Sequence, residues 1–219
     1  MHNRLTRWGR VAALVAAVAV AACTPTRGPA AGSPPAGPAS GAAPSTGTSD
    51  QSGSVLPANP DPAKFAEQVR AHAHKAGINP QLLMAILYNE NYKPHDPQLE
   101  RAWQKVNPDA AFGIANMHKA AFDQAKHGRA FANRDWQDLP DDPDLAIQAA
   151  AWYLHDLAGQ LPANPPAYTP DELIAFGYNA GPGNMKAIAR GAKPGQLAQS
   201  YLDRLHSNWA TADKAVQPH

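Results

Sequence analysis

The sequence predicts a mainly α domain of short helices, set behind an N-terminal targeting segment and a linker. Three observations carry that prediction. Apolar residues recur every three or four positions, as in Leu83, Ile86 and Leu87, in Phe65, Val69 and Ala73, and in Leu197, Tyr201, Leu205 and Trp209, which is the period of one helix face. Asp61-Pro62, Asn79-Pro80 and Thr169-Pro170 each place proline directly after a capping residue, the combination that opens a helix. No stretch alternates convincingly with period two, so strands are not expected.

The bulk composition narrows the function classes. A chain of 219 residues suits one domain plus accessory segments. A formal net charge of +1 lacks the basic footprint of a nucleic-acid binder. Cys23 is the single cysteine, which excludes an intramolecular disulfide and any multi-cysteine metal site. The histidines form no ligand pattern; His72 and His74, two apart, fall on different helix faces and read as surface residues. No metal or cofactor is expected, and the domain is expected to be a monomer.

Residues 1–22 read as a signal peptide. Arg4, Arg7 and Arg10 give a basic start, Val11 to Val20 a short apolar run, and Ala21-Ala22 a small-residue end; the run is short for a membrane span. Val20-Ala21-Ala22-Cys23 resembles a bacterial lipobox, which implies lipidation of Cys23 and attachment to a bacterial membrane on its extracytoplasmic side. Residues 23–58 form a linker rich in Pro, Gly, Ala, Ser and Thr. That composition cannot bury enough apolar surface to offset chain entropy, and it supplies reach from the membrane.

The folded domain is expected over 59–213, with a tail at 214–219. Asp61-Pro62 starts the first helix and Gly77 ends it. Asn79-Pro80 opens the second, which Lys93-Pro94 and Asp96-Pro97 break just past Glu90. A short helix is expected around Leu99 to Val106 and another within Lys119 to Phe131. Between them lies the glycine-punctuated stretch Ala110 to Met117. A polar loop, Asn133 to Asp142, precedes a long helix from Pro143 to Leu161. Thr169-Pro170-Asp171-Glu172 is a capping box that starts a helix ending at Ala180. Gly181-Pro182-Gly183 stops it, Asn184 caps a short helix to Arg190, and a last helix runs from Gln196 to Ala212.

Glu90 is the most informative side chain. It continues the apolar stripe of Leu83, Ile86 and Leu87, where a core residue would be expected. Burial there would raise its pKa and suit it to general-acid work; a solvated helix end is the other reading. The second informative element is Tyr178-Asn179-Ala180-Gly181-Pro182-Gly183. A glycine C-cap followed by proline accounts for its second half. It leaves unexplained the Tyr-Asn pair, whose polar groups suit a carboxyl or sugar hydroxyls and amides.

Taken together, Glu90 after an apolar helix, then Gly113-Ile114-Ala115-Asn116, then Tyr178-Asn179-Ala180-Gly181, with Tyr201 near the end, resemble the soluble lytic transglycosylase (SLT) domain family of lysozyme-like proteins. The resemblance covers Phe65 to Trp209. It implies a lysozyme-like multi-helix fold with a substrate groove and a lyase that cleaves the β-1,4 bond between N-acetylmuramic acid and N-acetylglucosamine in peptidoglycan, leaving a 1,6-anhydro end. By that resemblance Glu90 is the catalytic acid and then base, Tyr178 keeps it poised, and Asn91, Gly113, Asn116, Asn179 and Tyr201 contact substrate or support the glutamate. Two departures stand out. Asn91 replaces the family's serine after the glutamate, and Gly113-Ile-Ala-Asn116 replaces Gly-Leu-Met-Gln. A lysozyme-type hydrolase and a non-catalytic glycan-binding lipoprotein are the alternatives. Asp96 reads as a turn rather than a second acid, and Trp103, Trp136 and Trp152 as core residues outside the site.

Overall fold

The computed structural model describes residues 59–163, 165 and 167–218. The signal peptide, Cys23 and the linker lie outside the described residues. Within them the fold is helical, and the only strand-like pairing is an isolated antiparallel bridge between Phe112 and Met117.

A 3-10 turn, Pro62–Phe65, leads into α1, Ala66–Ala76. Asp61 accepts from the Ala63 N–H at its start, and Gly77 ends α1 in the left-handed conformation. Next comes α2, Pro80–Glu90, capped by the Asn79 side chain. Leu82 to Leu87 are all buried, so α2 is enclosed on every side rather than along one stripe, the pattern of a central helix. Each such leucine or isoleucine contributes about 1.5–3 kcal/mol by burial. The main partner of α2 is the last helix, α7, and α1 also lies against it.

The third helix, α3, is Pro97–Val106, with Asp96 as its N-cap, and it makes few contacts with other helices. After it come α4, Lys119–Lys126, a 3-10 turn at Trp136–Asp138, and α5, Pro143–Ala158, which packs on α1, α4 and α6. The helix α6, Pro170–Ala189, opens with the Thr169–Glu172 capping box and kinks at Gly181, whose φ of 83° and ψ of 162° are not helical. Glycine adopts that conformation without a side-chain clash. The second segment therefore starts at Gly181-Pro182. Asn184, expected to be its cap, lies inside it and donates to the Ala180 carbonyl. The final helix, α7, is Gln196–Val216; it outruns the expected end at Ala212 because Val216 is itself buried.

Two expectations change here. His72 is 6% exposed, and its Nε2 lies 3.0 Å from Asp144 Oδ1, so it joins α1 to α5 instead of facing solvent. Trp136 is buried, as a core residue should be, and donates from its ring nitrogen to the Met117 carbonyl at 2.8 Å. Trp103, by contrast, is 55% exposed.

Candidate active site

Glu90 is the last residue of α2 and is 6% exposed. Both carboxylate oxygens are engaged. The Tyr201 hydroxyl of α7 donates to Oε1 at 2.9 Å, and the Asn116 side-chain amide donates to Oε2 at 2.8 Å. Burial raises the Glu90 pKa above the ordinary carboxylate value; the bonds from Asn116 and Tyr201 and the charges of Lys93 and Arg204 pull the other way. Enclosure thus favours the protonated acid, while four groups are in place to receive it as an anion.

Each of those groups has its own support. Lys93 Nζ donates to Asn116 Oδ1 at 2.8 Å, which turns the amide so that its NH2 faces Glu90. Asn116 closes a turn by donating its N–H to the Gly113 carbonyl at 2.8 Å, and it sits at φ 48°, a left-handed conformation that asparagine tolerates better than most residues. The Phe112–Met117 bridge closes the base of the same turn. Tyr201 is buried, the Arg204 guanidinium lies 5.7 Å from its ring centre, and its own carbonyl accepts from the buried Asn89 side chain at 3.0 Å. Asn208 donates to Asn89 Oδ1 at 2.8 Å, so Asn89 is a polar rivet between α2 and α7 that the sequence reading overlooked. The available signal was a second polar residue beside Glu90 in an otherwise apolar helix.

The other site residues fall at different distances from this centre. Tyr178 does not donate to Glu90. Its hydroxyl donates to the Ala115 carbonyl at 2.5 Å, inside the Gly113 to Asn116 turn, and the tyrosine that reaches Glu90 is Tyr201. Burial, then the nearby Glu90 charge, push its pKa well above the tyrosine value, so it stays a neutral donor. Gly113 has φ 71°, and a Cβ there would come within 2.8 Å of the Leu139 carbonyl oxygen. Its N–H is already given to Glu100 Oε2 at 3.0 Å, so that donor is occupied. Asn91 is the C-cap of α2, and its carbonyl accepts from the Asn59 amide at 3.0 Å. Asn179 is exposed near the Gly181 kink, on the wall of a cavity of about 550 Å³ shared with Asn184, Lys193 and Gln196.

A second cavity, of about 560 Å³, opens beside Lys93 and is walled by Leu99, Glu100, Trp103, Val106 and Phe112. Its apolar lining, with Lys93 and Glu100 as polar points, has the make-up of a ligand cleft. Among the described residues no three His, Cys, Asp or Glu side chains gather as a metal site.

A helical domain built around a buried, hydrogen-bonded acid is equipped for proton transfer to and from a bound substrate. The family described as Transglycosylase SLT domain matches residues 67–200, and the chain belongs to that family. No curated protein and no solved structure matches the chain. Members of the family are lytic transglycosylases, lyases that act on peptidoglycan in the cell envelope, and this chain is an enzyme of that class. No helix among the described residues is long and apolar enough to cross a membrane.

Proposed function

We propose that the chain is a membrane-anchored lytic transglycosylase that cleaves the bond between N-acetylmuramic acid and N-acetylglucosamine, with Glu90 as the acid and then the base. The observation that supports this reading most directly is the enclosure of Glu90 with a donor on each carboxylate oxygen. Protonated Glu90 gives its proton to the glycosidic oxygen as that bond breaks. The substrate's N-acetyl group stabilises the positive charge on the anomeric carbon. The Glu90 carboxylate then takes the proton of the muramic acid C6 hydroxyl, the C6 oxygen bonds to the anomeric carbon, and the 1,6-anhydro ring closes. The proton given in the first half is recovered in the second, and no water is consumed. Tyr201 and Asn116 stabilise the carboxylate between the two halves, since both donate to it in place.

The substrate groups divide accordingly. Asn116 and Tyr201 act on Glu90, and Tyr178 acts on the turn that carries Asn116. Asn179 with the cavity beside it, and the cavity beside Lys93, are left to hold the glycan. The domain, residues 59–213, works at the end of the 23–58 linker, anchored through a lipidated Cys23.

The test is product analysis of purified peptidoglycan digested with the domain. Mass spectrometry should find 1,6-anhydro ends, and Glu90→Gln should stop their release while glycan binding persists. Reducing ends instead would make the enzyme a hydrolase, and wild-type turnover by Glu90→Gln would remove Glu90 from the mechanism. Metabolic labelling with palmitate, lost in Cys23→Ala, tests the anchor.

A further inference from the structure

Behind Asn116 lies a second buried carboxylate that the mechanism does not use. Glu100, in the first turn of α3, is 9% exposed. Its Oε2 accepts the Gly113 N–H at 3.0 Å. Its Oε1 lies 3.2 Å from His95 Nδ1, and the side chains of both residues are nearly enclosed. Few polar groups are buried in this domain, and enclosing a carboxylate is costly unless it is paired and hydrogen-bonded. Glu100 is both, and its two partners belong to two different segments.

Those segments are the ones that hold Glu90. Gly113 opens the turn that ends in Asn116, and the Asn116 N–H to Gly113 carbonyl bond makes that turn one unit. His95 follows Lys93 by two residues. The intervening backbone is fastened again by Asn59, whose amide donates to the Lys93 and Asn91 carbonyls and whose oxygen accepts the His95 N–H at 2.8 Å. Two cross-links therefore run in parallel between the 93–95 loop and the 113–116 turn. One is Lys93 to Asn116, in front, touching Glu90. The other is His95 to Glu100 to Gly113, behind it.

We infer that Glu100 is the positioning residue of the site, the joint that keeps Lys93 and Asn116 registered on Glu90. The inference rests on the reading of Glu90 as the catalytic acid. A displacement of either segment would break the Lys93–Asn116 bond and free the amide to rotate, turning its oxygen toward a carboxylate. Half the support for the Glu90 anion would be lost without any change to a residue that touches it. The groups facing Glu90 are Lys93 from the loop, Asn116 from the turn, Tyr178 from α6, and Tyr201 and Arg204 from α7. Only the first two sit on the segments that Glu100 joins.

The experiment reads the titration of Glu90 directly, by NMR of the full chain carrying 13C-labelled glutamate side chains, with the Glu90 signal assigned by its absence in Glu90→Gln. Loss of the amide and ammonium removes two influences that lower the Glu90 pKa. Glu100→Ala should therefore move the Glu90 midpoint upward, and should cut kcat about tenfold or more with KM within about twofold. Glu100→Gln keeps an acceptor for the Gly113 N–H and gives its NH2 to His95 Nδ1 in the tautomer that accepts there, and should restore both. If Glu100→Ala does not fold, His95→Leu cuts the same joint from the other side, with the same upward movement expected. A folded Glu100→Ala or His95→Leu whose Glu90 titrates as in the wild type overturns the inference. Because the titration needs no turnover, it separates the two readings. A moved midpoint combined with full activity of Glu90→Gln would uphold the joint and remove the acid.

Discussion

The Tyr201 hydroxyl and Glu90 Oε1 meet at 2.9 Å across 111 residues of sequence. This bond joins the end of α2 to the second turn of α7, in the most extensive helix–helix contact of the domain. It places a neutral donor, kept neutral by burial and by the Glu90 charge, on an oxygen that carries negative charge only part of the time. Replacement of Tyr201 by Phe should remove that bond and little else. A hydrogen bond to a charged group contributes about 1.5–3 kcal/mol, so kcat should fall about ten- to hundredfold while circular dichroism and KM stay near wild type.

Glu90 itself should set the pH dependence of stability. Its folded pKa lies above the ordinary value because burial penalises the charged form. At a pH below the unfolded carboxylate pKa both states are protonated and burial of the charge costs nothing. The cost develops as pH rises through the window between the unfolded and the raised folded pKa, and is complete above it. Glu90→Gln removes the charge, so its Tm should exceed wild type at neutral pH and converge with it in acid. Differential scanning calorimetry across that range checks the sign; an advantage that grows toward low pH would contradict it.

Lys93 is the cation that both orients Asn116 and opposes the rise of the Glu90 pKa. Lys93→Met should carry the Glu90 pKa further up. The basic limb of the kcat profile, where the acid form is lost, should shift to higher pH, and kcat at its plateau should drop as the carboxylate becomes a poorer intermediate. A pH–rate series on soluble glycan fragments would show both.

Gly113 has no room for a methyl group. Its φ of 71° disfavours any other residue, and an added Cβ would meet the Leu139 carbonyl at 2.8 Å. Gly113→Ala should destabilise the domain by about 2–3 kcal/mol, combining left-handed strain with a backbone clash. Urea unfolding measures it. Activity should fall further than folded fraction alone accounts for, because the turn also carries Asn116.

Trp103 is half out of the protein on the wall of the cavity beside Lys93. Its exposed ring offers an apolar face to a sugar. Trp103→Ala should raise KM for glycan several-fold with kcat and Tm little changed, a result accessible by steady-state kinetics and calorimetry. An unchanged KM would leave that wall outside the substrate path.

Much of the architecture was legible from residue order. Capping residues with proline marked the starts of α2 and α6, Gly77 marked an end, and four-residue spacing marked α7, because these signals act through dihedral angles and hydrogen bonds within one or two turns. The same local logic put Glu90 at the end of an apolar helix. Its burial was only one of two readings, since a helix end faces solvent or core according to what packs on it. Once α7 and the 113–116 turn close over that end, no solvated position remains.

The partners of Glu90 were decided in three dimensions. Tyr178 sits in the most recognisable motif of the chain, yet it reaches the Ala115 carbonyl, while Tyr201, part of a plain amphipathic repeat, reaches the acid. His72, expected at the surface, and Asn89 and Glu100, for which nothing was expected, are buried because each finds a partner on another segment. Residue order is enough to say where the helices begin and that a carboxyl ends the central one. Which donors stand within 3 Å of that carboxyl depends on how helices cross, and no spacing along the chain encodes a crossing.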